Sequence, residues 1–280
     1  MIYYGIVIYN KAIVNSCTYN TLMQCGVSLR SIVIFDNSDN EKYITENVEY
    51  SNNKRIIYLG NGKNEGISCA YNNIVSYLEK YANEEDYFVT LDDDTSITHE
   101  YIQELSLAVE KNKYKVIIPI VQTDKFILSP SNVTNYGKII VIKDIKQIKR
   151  ERMTAINTGA CYNLTIFNQL KFNENLFLDC VDHNMFRDIR NCNIDVCVMK
   201  KANIFQNYSR NEKPEYSSRL KRYKITTRDV FNYGREYSAY SLFFRLSEFR
   251  QALLLTLVYK KSGFIKEYFG VWHKHFGVDK

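Results

Sequence analysis

Short apolar, β-branched runs recur along the first part of the chain at residues 4–9, 31–35, 55–59, 87–91 and 116–121. Most are separated by stretches with helical spacing, at 11–25, 67–81 and 98–112. The clearest follows Gly66, where Ile67, Ala70, Tyr71, Ile74, Val75 and Leu78 recur at intervals of three and four and mark one buried face. Strands alternating with helices predict βαβ units, hence an α/β fold with a mainly parallel central sheet flanked by helices. Past Val121 the pattern changes. Residues 122–137 read as a polar loop, 138–142 as a strand, 143–152 as a basic connector and 154–164 as another ordered stretch. A helix is expected over 181–191 and a strand over 194–199, while 207–222, polar and basic, are expected to form a mobile loop. The end of the chain reads as a C-terminal helical appendage. A helix over 242–259 is stopped by Lys260, Lys261 and Gly263, and a shorter amphipathic piece spans 264–276. Arg245, Glu248 and Arg250 interrupt the first of these, which falls short of the ~18 uninterrupted apolar residues of a membrane span.

Composition narrows this picture in three ways. At 280 residues with 45% hydrophobic and 24% charged side chains, the chain suits one large α/β domain with an appendage. Residues 1–9 lack a basic start and a small-residue cleavage site, so they read as a first strand and not as a secretory leader. Seven cysteines without a Cys-x-x-Cys pair suggest reduced, buried thiols in a cytoplasmic protein. Charge is unevenly spread. Residues 200–280 hold 17 Lys/Arg against 7 Asp/Glu, a net of +10, whereas residues 1–199 carry 20 against 24, a net of −4. A basic tail on a slightly acidic body suggests an anionic partner such as a membrane surface or a phosphorylated substrate. No helix-turn-helix or RNA-binding signature accompanies it, which argues against nucleic acid. The aromatics Phe264, Phe269, Trp272 and Phe276 beside Lys266 and Lys274 suit a helix lying in the interface of an anionic membrane, the alternative being that the tail helices pack against the body as core. Peripheral attachment at the inner face of the cell membrane would follow from the first.

The candidate chemistry sits at strand ends. Leu91-Asp92-Asp93-Asp94-Thr95 closes the fourth apolar run, presenting three carboxylates where ligands bind in open α/β sheets. Alternation along an extended segment would turn Asp92 and Asp94 one way and Asp93 the other. Two hard oxygen donors on one side suit Mg2+ or Mn2+ that also holds phosphate oxygens. A solvated acidic turn before the next helix is the plain alternative. Three further segments end strands in the same half: Ile8-Tyr9-Asn10, Asp36-Asn37-Ser38, and the glycine-rich run from Gly60 to Gly66. Parallel strands would line all four along one edge as a nucleotide crevice. The glycine spacing follows the third strand and matches neither the dinucleotide fingerprint nor a Walker loop.

Together these residues resemble family-2-type glycosyltransferases of the GT-A (Rossmann-like) fold, within them the rhamnosyltransferase-like group. Besides the four segments, the likeness rests on Asn64-Glu65-Gly66-Ile67 with Ala70-Tyr71-Asn72, on Asn157-Thr158-Gly159-Ala160, and on the stretch from Phe172 to Asp182. It covers roughly residues 2–210. The resemblance implies a catalytic domain over 1–206, with a nucleotide-binding half at 1–121 and an acceptor-binding half at 122–206, followed by the basic loop and amphipathic helices of 207–280. It implies that Tyr9 and Asn10 line the base and ribose, that Asp36 accepts from the pyrimidine, and that Asn64 and Gly66 shape the nucleotide pocket. Asp92, with Asp93 beside it, would lie near the ribose or sugar, and Asp94 would bind the Mg2+ or Mn2+ on the donor diphosphate, with Asp92 as second ligand. Asp182 stands where the family carries its catalytic base, and Asp179 competes for that role, although either could serve as a helix N-cap.

Two departures qualify the likeness. Gln206 occupies the place of a frequent metal- or diphosphate-site histidine, which weakens the site or hands its role to Arg210 or Lys213. Asn184 stands where many relatives are acidic. The implied activity is inverting, metal-dependent transfer from a nucleotide-sugar donor, dTDP-rhamnose or a UDP-hexose, to a glycan or lipid-linked acceptor in bacterial surface-polysaccharide synthesis. A non-catalytic sugar- or nucleotide-binding module on the same scaffold is the alternative, and nucleotidyltransfer is a third.

Overall fold

The computed structural model describes residues 1–123, 125–205, 214–235 and 241–276. Its first half alternates as expected: β1 (Ile2–Ile8), α1 (Cys17–Gln24), β2 (Ile32–Asp36), α2 (Glu41–Lys54), β3 (Ile57–Gly60), α3 (Ile67–Tyr81), β4 (Tyr87–Asp92), α4 (His99–Glu110) and β5 (Val116–Gln122). Then come β6 (Ile127–Val133), β7 (Ile139–Ile142), β8 (Met153–Thr154), β9 (Ala160–Asn163), α5 (Val181–Asn191) and β10 (Val196–Phe205). Three helices close the chain: α6 (Tyr216–Arg235), α7 (Ser241–Tyr259) and α8 (Gly263–Phe276).

The strands form one ten-stranded sheet in the order β3-β2-β1-β4-β9-β5-β6-β7, with β10 beside β5 and β8 beside β6. β1 to β4 run parallel, and β10 runs parallel to β5. β9 lies antiparallel between β4 and β5, and β6 to β8 form an antiparallel flank. The sheet is therefore mixed at one side and purely parallel from β3 to β4, the α/β fold expected from the alternation.

Each face of the sheet buries its own apolar layer. On one, the buried stripe of α3 (Ala70, Tyr71, Ile74, Val75, Leu78) meets Val33, Phe35 and Phe88, and α5 adds Met185, Phe186 and Ile189. On the other, Ile6, Ile8, Ile34, Val89 and Leu91 meet Leu22 of α1 and Tyr101 and Leu105 of α4. Alternating residues of one strand serve the two layers, as Val33 and Ile34 do.

Several expectations are corrected. The segment 122–137 is not a loop throughout, because β6 occupies 127–133 with Ser129 and Ser131 buried. α2 was not anticipated: its inward face is polar, carrying the buried Asn47 and Ser51, so no apolar stripe announces it. The expected mobile loop at 207–222 overlaps the first two turns of α6, while residues 206–213 lie outside the described residues. Of the seven thiols, only Cys161 is fully buried, whereas Cys17 and Cys192 are exposed.

The tail is corrected most. α6, α7 and α8 enclose their own core of Tyr223, Phe231, Ala252, Leu255, Phe264, Tyr268 and Val271, with Trp272 half-buried against it. Phe264, expected in a membrane interface, is 0% exposed, and of the named aromatics Phe269 is exposed. The side chain of Phe276 lies outside the described residues. Among the described residues no helix is long and apolar enough to cross a membrane.

Candidate active site

The register of the parallel strands brings the expected strand ends to one edge. Ile8 of β1 pairs with Asp36 of β2, Asp36 with Gly60 of β3, and Val7 with Asp92 of β4. The residues that follow these positions therefore line a single rim.

At the β1–β2 end the chain is held by side chains. Asn10 has a left-handed backbone, φ 47°. Its side chain accepts from the amides of Asp39 and Asn40 at 3.3 and 3.1 Å and donates to the Asp39 carboxylate at 2.8 Å, and the Tyr9 hydroxyl donates to the same carboxylate at 3.1 Å. Asp36, 1% exposed, faces inward. It accepts from the Ser38 amide at 2.9 Å, from Asn47 of α2 at 2.8 Å and from the Tyr58 hydroxyl at 2.9 Å. This carboxylate ties β2, α2 and β3 together, and a pyrimidine would have to share it with these donors.

The glycine-rich loop is shaped by Asn37, which accepts from the Glu65 amide and donates to the Gly66 carbonyl, both at 3.1 Å. Asn64 accepts from the Gly66 amide at 3.1 Å. Gly66, at φ 85°, opens α3, and a Cβ there would stand 2.5 Å from the carbonyl oxygen of Phe177. Only glycine permits this approach, which lets Ile67 donate to that oxygen at 2.7 Å. The glycine-rich loop and the segment around Phe177 are thus joined at Gly66.

The acidic run turns after Asp92. The start of α1 clamps it: Ser16 Oγ donates to the Asp93 carbonyl at 2.9 Å, and Thr18 Oγ1 donates to the Asp92 carbonyl and to the Thr95 carbonyl at 3.0 Å. Asp93 turns to Lys11, 2.6 Å from its Nζ. Asp92 is half-buried and accepts from Thr158 at 3.3 Å, and Asp94 is exposed. Burial, then the neighbouring Asp94 and also Asp182 and Asp93, push the Asp92 carboxyl up to about 6, against the lowering bond from Thr158. Asp94 and Asp182 thus stand near enough for their charges to act on the Asp92 carboxyl. Among the described residues no group of three His, Cys, Asp or Glu stands close enough to hold a metal ion unaided. The donor set therefore fits a divalent cation only if phosphate or water oxygens complete it.

Asp182 lies in the first turn of α5, where the partial positive charge of the helix end favours a carboxylate. One oxygen accepts from the His183 amide at 2.7 Å. Cys180, at φ 63°, makes the turn that starts the helix. Asp179 is engaged elsewhere: Arg222 and Thr226 of α6 donate to its two oxygens at 2.6 and 2.8 Å. Asp229 of α6, fully buried, accepts from the amides of Leu178 and Asp179 at 2.7 and 3.0 Å. Asn184 points inward, donating to Asp188 at 3.0 Å, so its departure from an acidic residue falls on the core side of α5. Gln206, Arg210 and Lys213 lie outside the described residues.

Sequence reasoning missed several neighbours of these groups: Ser16, Thr18, Asn47, Asp229 and His183. The His183 Nδ1 shares a 2.8 Å hydrogen bond with Thr154 and stands 4.0 Å from Asp182. A capping serine two residues before a threonine, at 16 and 18, was the visible signal for the first pair.

The raised Asp92 carboxyl has a consequence for stability. Its pKa of about 6 exceeds the ordinary 3.8, so the folded chain holds this proton more tightly than the unfolded one. The stabilisation from protonation is fully present below the unfolded value and is lost as pH rises through about 6. Melting profiles without divalent cation should therefore show Tm falling from about pH 5 to about pH 7 by more than in Asp92→Asn. Identical profiles would show that Asp92 is not the group responsible.

The model of the family described as glycosyl transferase family 2 matches residues 5–170. No curated protein matches the chain. The fold is similar to the crystal structure of GalNAc-T7 with UDP, GalNAc and Mn2+, at TM-score 0.58 and 12% identity, over 74% of this chain and 44% of that one. It is similar also to S. aureus TarS 1-349 in complex with UDP-GlcNAc, at TM-score 0.53 and 12% identity, over 98% of this chain and 80% of that one. S. aureus TarS itself matches at TM-score 0.50 and 14% identity, over 82% of this chain and 40% of that one. The chain thus spans less than half the length of GalNAc-T7 and of TarS. Both the family match, over more than half the chain, and the GT-A-like sheet with its acidic strand end lead to one assignment: the chain belongs to glycosyl transferase family 2.

Proposed function

We propose that the chain is an inverting, metal-dependent glycosyltransferase. It moves a sugar from a nucleotide-sugar donor, dTDP-rhamnose or a UDP-hexose, to a glycan or lipid-linked glycan in bacterial surface-polysaccharide synthesis. One observation carries the reading: Asp94 and Asp182 both bear on the Asp92 carboxyl at the rim where the parallel strands of a family-2 sheet end. The UDP, UDP-GlcNAc and Mn2+ complexes of the similar structures support a nucleotide donor and a divalent cation.

In this reading Tyr9, Asn10, Asp36, Asn64 and Gly66 surround the base and ribose, and Asp92 lies by the sugar. Asp182, in the first turn of α5, takes the proton from the attacking acceptor hydroxyl, a task suited to a carboxylate. Mg2+ or Mn2+ held by Asp94 and Asp92 would lend positive charge to the departing diphosphate. Residues 1–121 form the nucleotide half and 122–206 the acceptor half, with α6 of the 207–280 appendage bracing the acceptor loop through Arg222 and Asp229. Peripheral contact with an anionic leaflet draws its support from α7, where Leu242, Leu246, Leu254 and Leu257 are exposed on a tail of net charge +10.

A panel of dTDP- and UDP-sugars, each with and without Mn2+, tests the donor side by thermal stabilisation. A ligand at a hundred times its Kd adds about 2.7 kcal/mol, enough to move Tm by several degrees. One donor should stand out and act more strongly with Mn2+. A flat response across the panel would count against the whole reading.

A further inference from the structure

Between α6 and α8 lies an open cleft of about 530 Å3, lined from α6 by Lys224, Arg228, Asn232 and Arg235 and from α8 by Lys274 and His275. The α6 residues are spaced by four, four and three, so helical geometry stacks them in one stripe. No carboxylate is among the described residues that line the cleft. Glu267, 3.0 Å from Lys224, and Asp229, 3.4 Å from Arg228, sit at its margins, and Asp229 also receives two backbone amides. Like charges one turn apart on a helix repel, so this stripe is at its most favourable with an anion between the side chains. His275 registers the local field: burial, then the guanidiniums of Arg235 and Arg245, hold its imidazole down to about 4.

The cleft adjoins the acceptor-side loop. The Arg228 guanidinium stands 5.4 Å over the Phe177 ring, and Phe177 abuts Gly66. Asn232 donates to the Asn175 carbonyl at 2.6 Å. The same loop leads to Asp179 and Asp182. Guanidinium and ammonium groups converging on a half-open cleft recognise phosphate oxygens by charge-assisted hydrogen bonds.

We propose that this cleft between α6 and α8 binds phosphate groups, apart from the donor diphosphate, and that it receives the phosphate-bearing part of the acceptor. The first statement is independent of catalysis, and the second rests on the transferase reading above.

Inorganic pyrophosphate titrated into the full chain, without divalent cation, tests it. The fluorescence of Trp272, the one tryptophan of the chain and two residues from Lys274, serves as reporter, with calorimetry as a second readout. Binding should saturate, weaken with salt, and weaken about tenfold or more in the Arg235→Ala/Lys274→Ala double variant. Because Arg235 also donates to the His275 carbonyl at 2.9 Å, Lys274→Glu, at an exposed position, is the second variant and should weaken binding without lowering Tm. Absence of saturable binding, or equal affinity in both variants, would overturn the proposal. Phosphatidylcholine vesicles with and without phosphatidic acid identify the source of the phosphate. Flotation that requires phosphatidic acid and is lost in both variants assigns a lipid headgroup, whereas pyrophosphate binding without flotation assigns a soluble or polymer-borne phosphate. If pyrophosphate binds as expected but no nucleotide sugar stabilises the chain, the transferase reading fails and the phosphate site stands.

Discussion

Asp182→Asn is expected to lower turnover about a hundredfold or more, the usual scale of general-base catalysis, while donor affinity stays nearly unchanged. Asparagine keeps the shape and can still accept from the His183 amide, but it cannot take a proton from a hydroxyl. Position supports the choice of Asp182 over Asp179. Asp182 is the carboxylate whose charge reaches Asp92, whereas both oxygens of Asp179 are occupied by Arg222 and Thr226. Asp179→Asn should act mainly on stability. The Arg222 pair is partly exposed, so its loss should cost about 1 kcal/mol or less, seen as a lower Tm with turnover largely kept. Single-turnover rates and donor Kd for both variants settle the matter, and a larger turnover loss in Asp179→Asn would reverse the assignment.

What could be read from the chain follows from where apolar residues carry information. β1 to β5 and α3 declare themselves because each buries a periodic apolar face, and parallel pairing then forces their polar ends onto one rim. α2 and α6 do not. The inward positions of α2 are Asn47 and Ser51, and those of α6 include Thr227 and Asp229 among aromatics, so both helices read as polar connectors. β6 hides for the same reason, with buried Ser129 and Ser131 in its middle. Tertiary hydrogen bonds make these polar residues suitable for burial, and a local pattern contains no trace of them.

The site divides along the same line. Asp92, Asp94 and Asp182 stand out at the ends of elements, but the groups that fix them come from far along the chain. Thr18 holds the acidic turn from 74 and 77 residues away, Thr158 reaches Asp92 across 66, and Asp229 grips the loop before Asp182 across 50 and 51. What turns Asp93 aside is not strand alternation. The chain turns at Asp93, and the Lys11 ammonium draws that side chain aside. Phe264 lies in a helical core and not at a surface because amphipathicity alone does not say what an apolar face meets. α6, which could not be foreseen, supplies the Tyr223 and Phe231 that cover Phe264, Tyr268 and Val271.

Asp94→Ala is expected to abolish metal-stimulated transfer, a loss of about a hundredfold on the scale set by removing one preorganised electrostatic partner of a developing charge. The fold should be indifferent. Asp94 is exposed, and surface substitutions of this kind usually stay within about 0.5 kcal/mol. Asp92→Asn should differ in stability but agree in activity. It removes a half-buried carboxylate pressed by Asp94 and Asp182, so above about pH 6 it should raise Tm while also weakening the response to Mn2+. Asp93→Ala, by contrast, loses a partly exposed pair with Lys11 and should leave the Mn2+ response close to that of the unaltered chain. Mn2+ titrations of transfer and of Tm across the three variants separate a cation site from a merely acidic turn. If Asp94→Ala kept full activity with the same Mn2+ dependence, the carboxylates at this strand end would have no part in holding a cation, and the departing diphosphate would have to be stabilised by basic side chains instead.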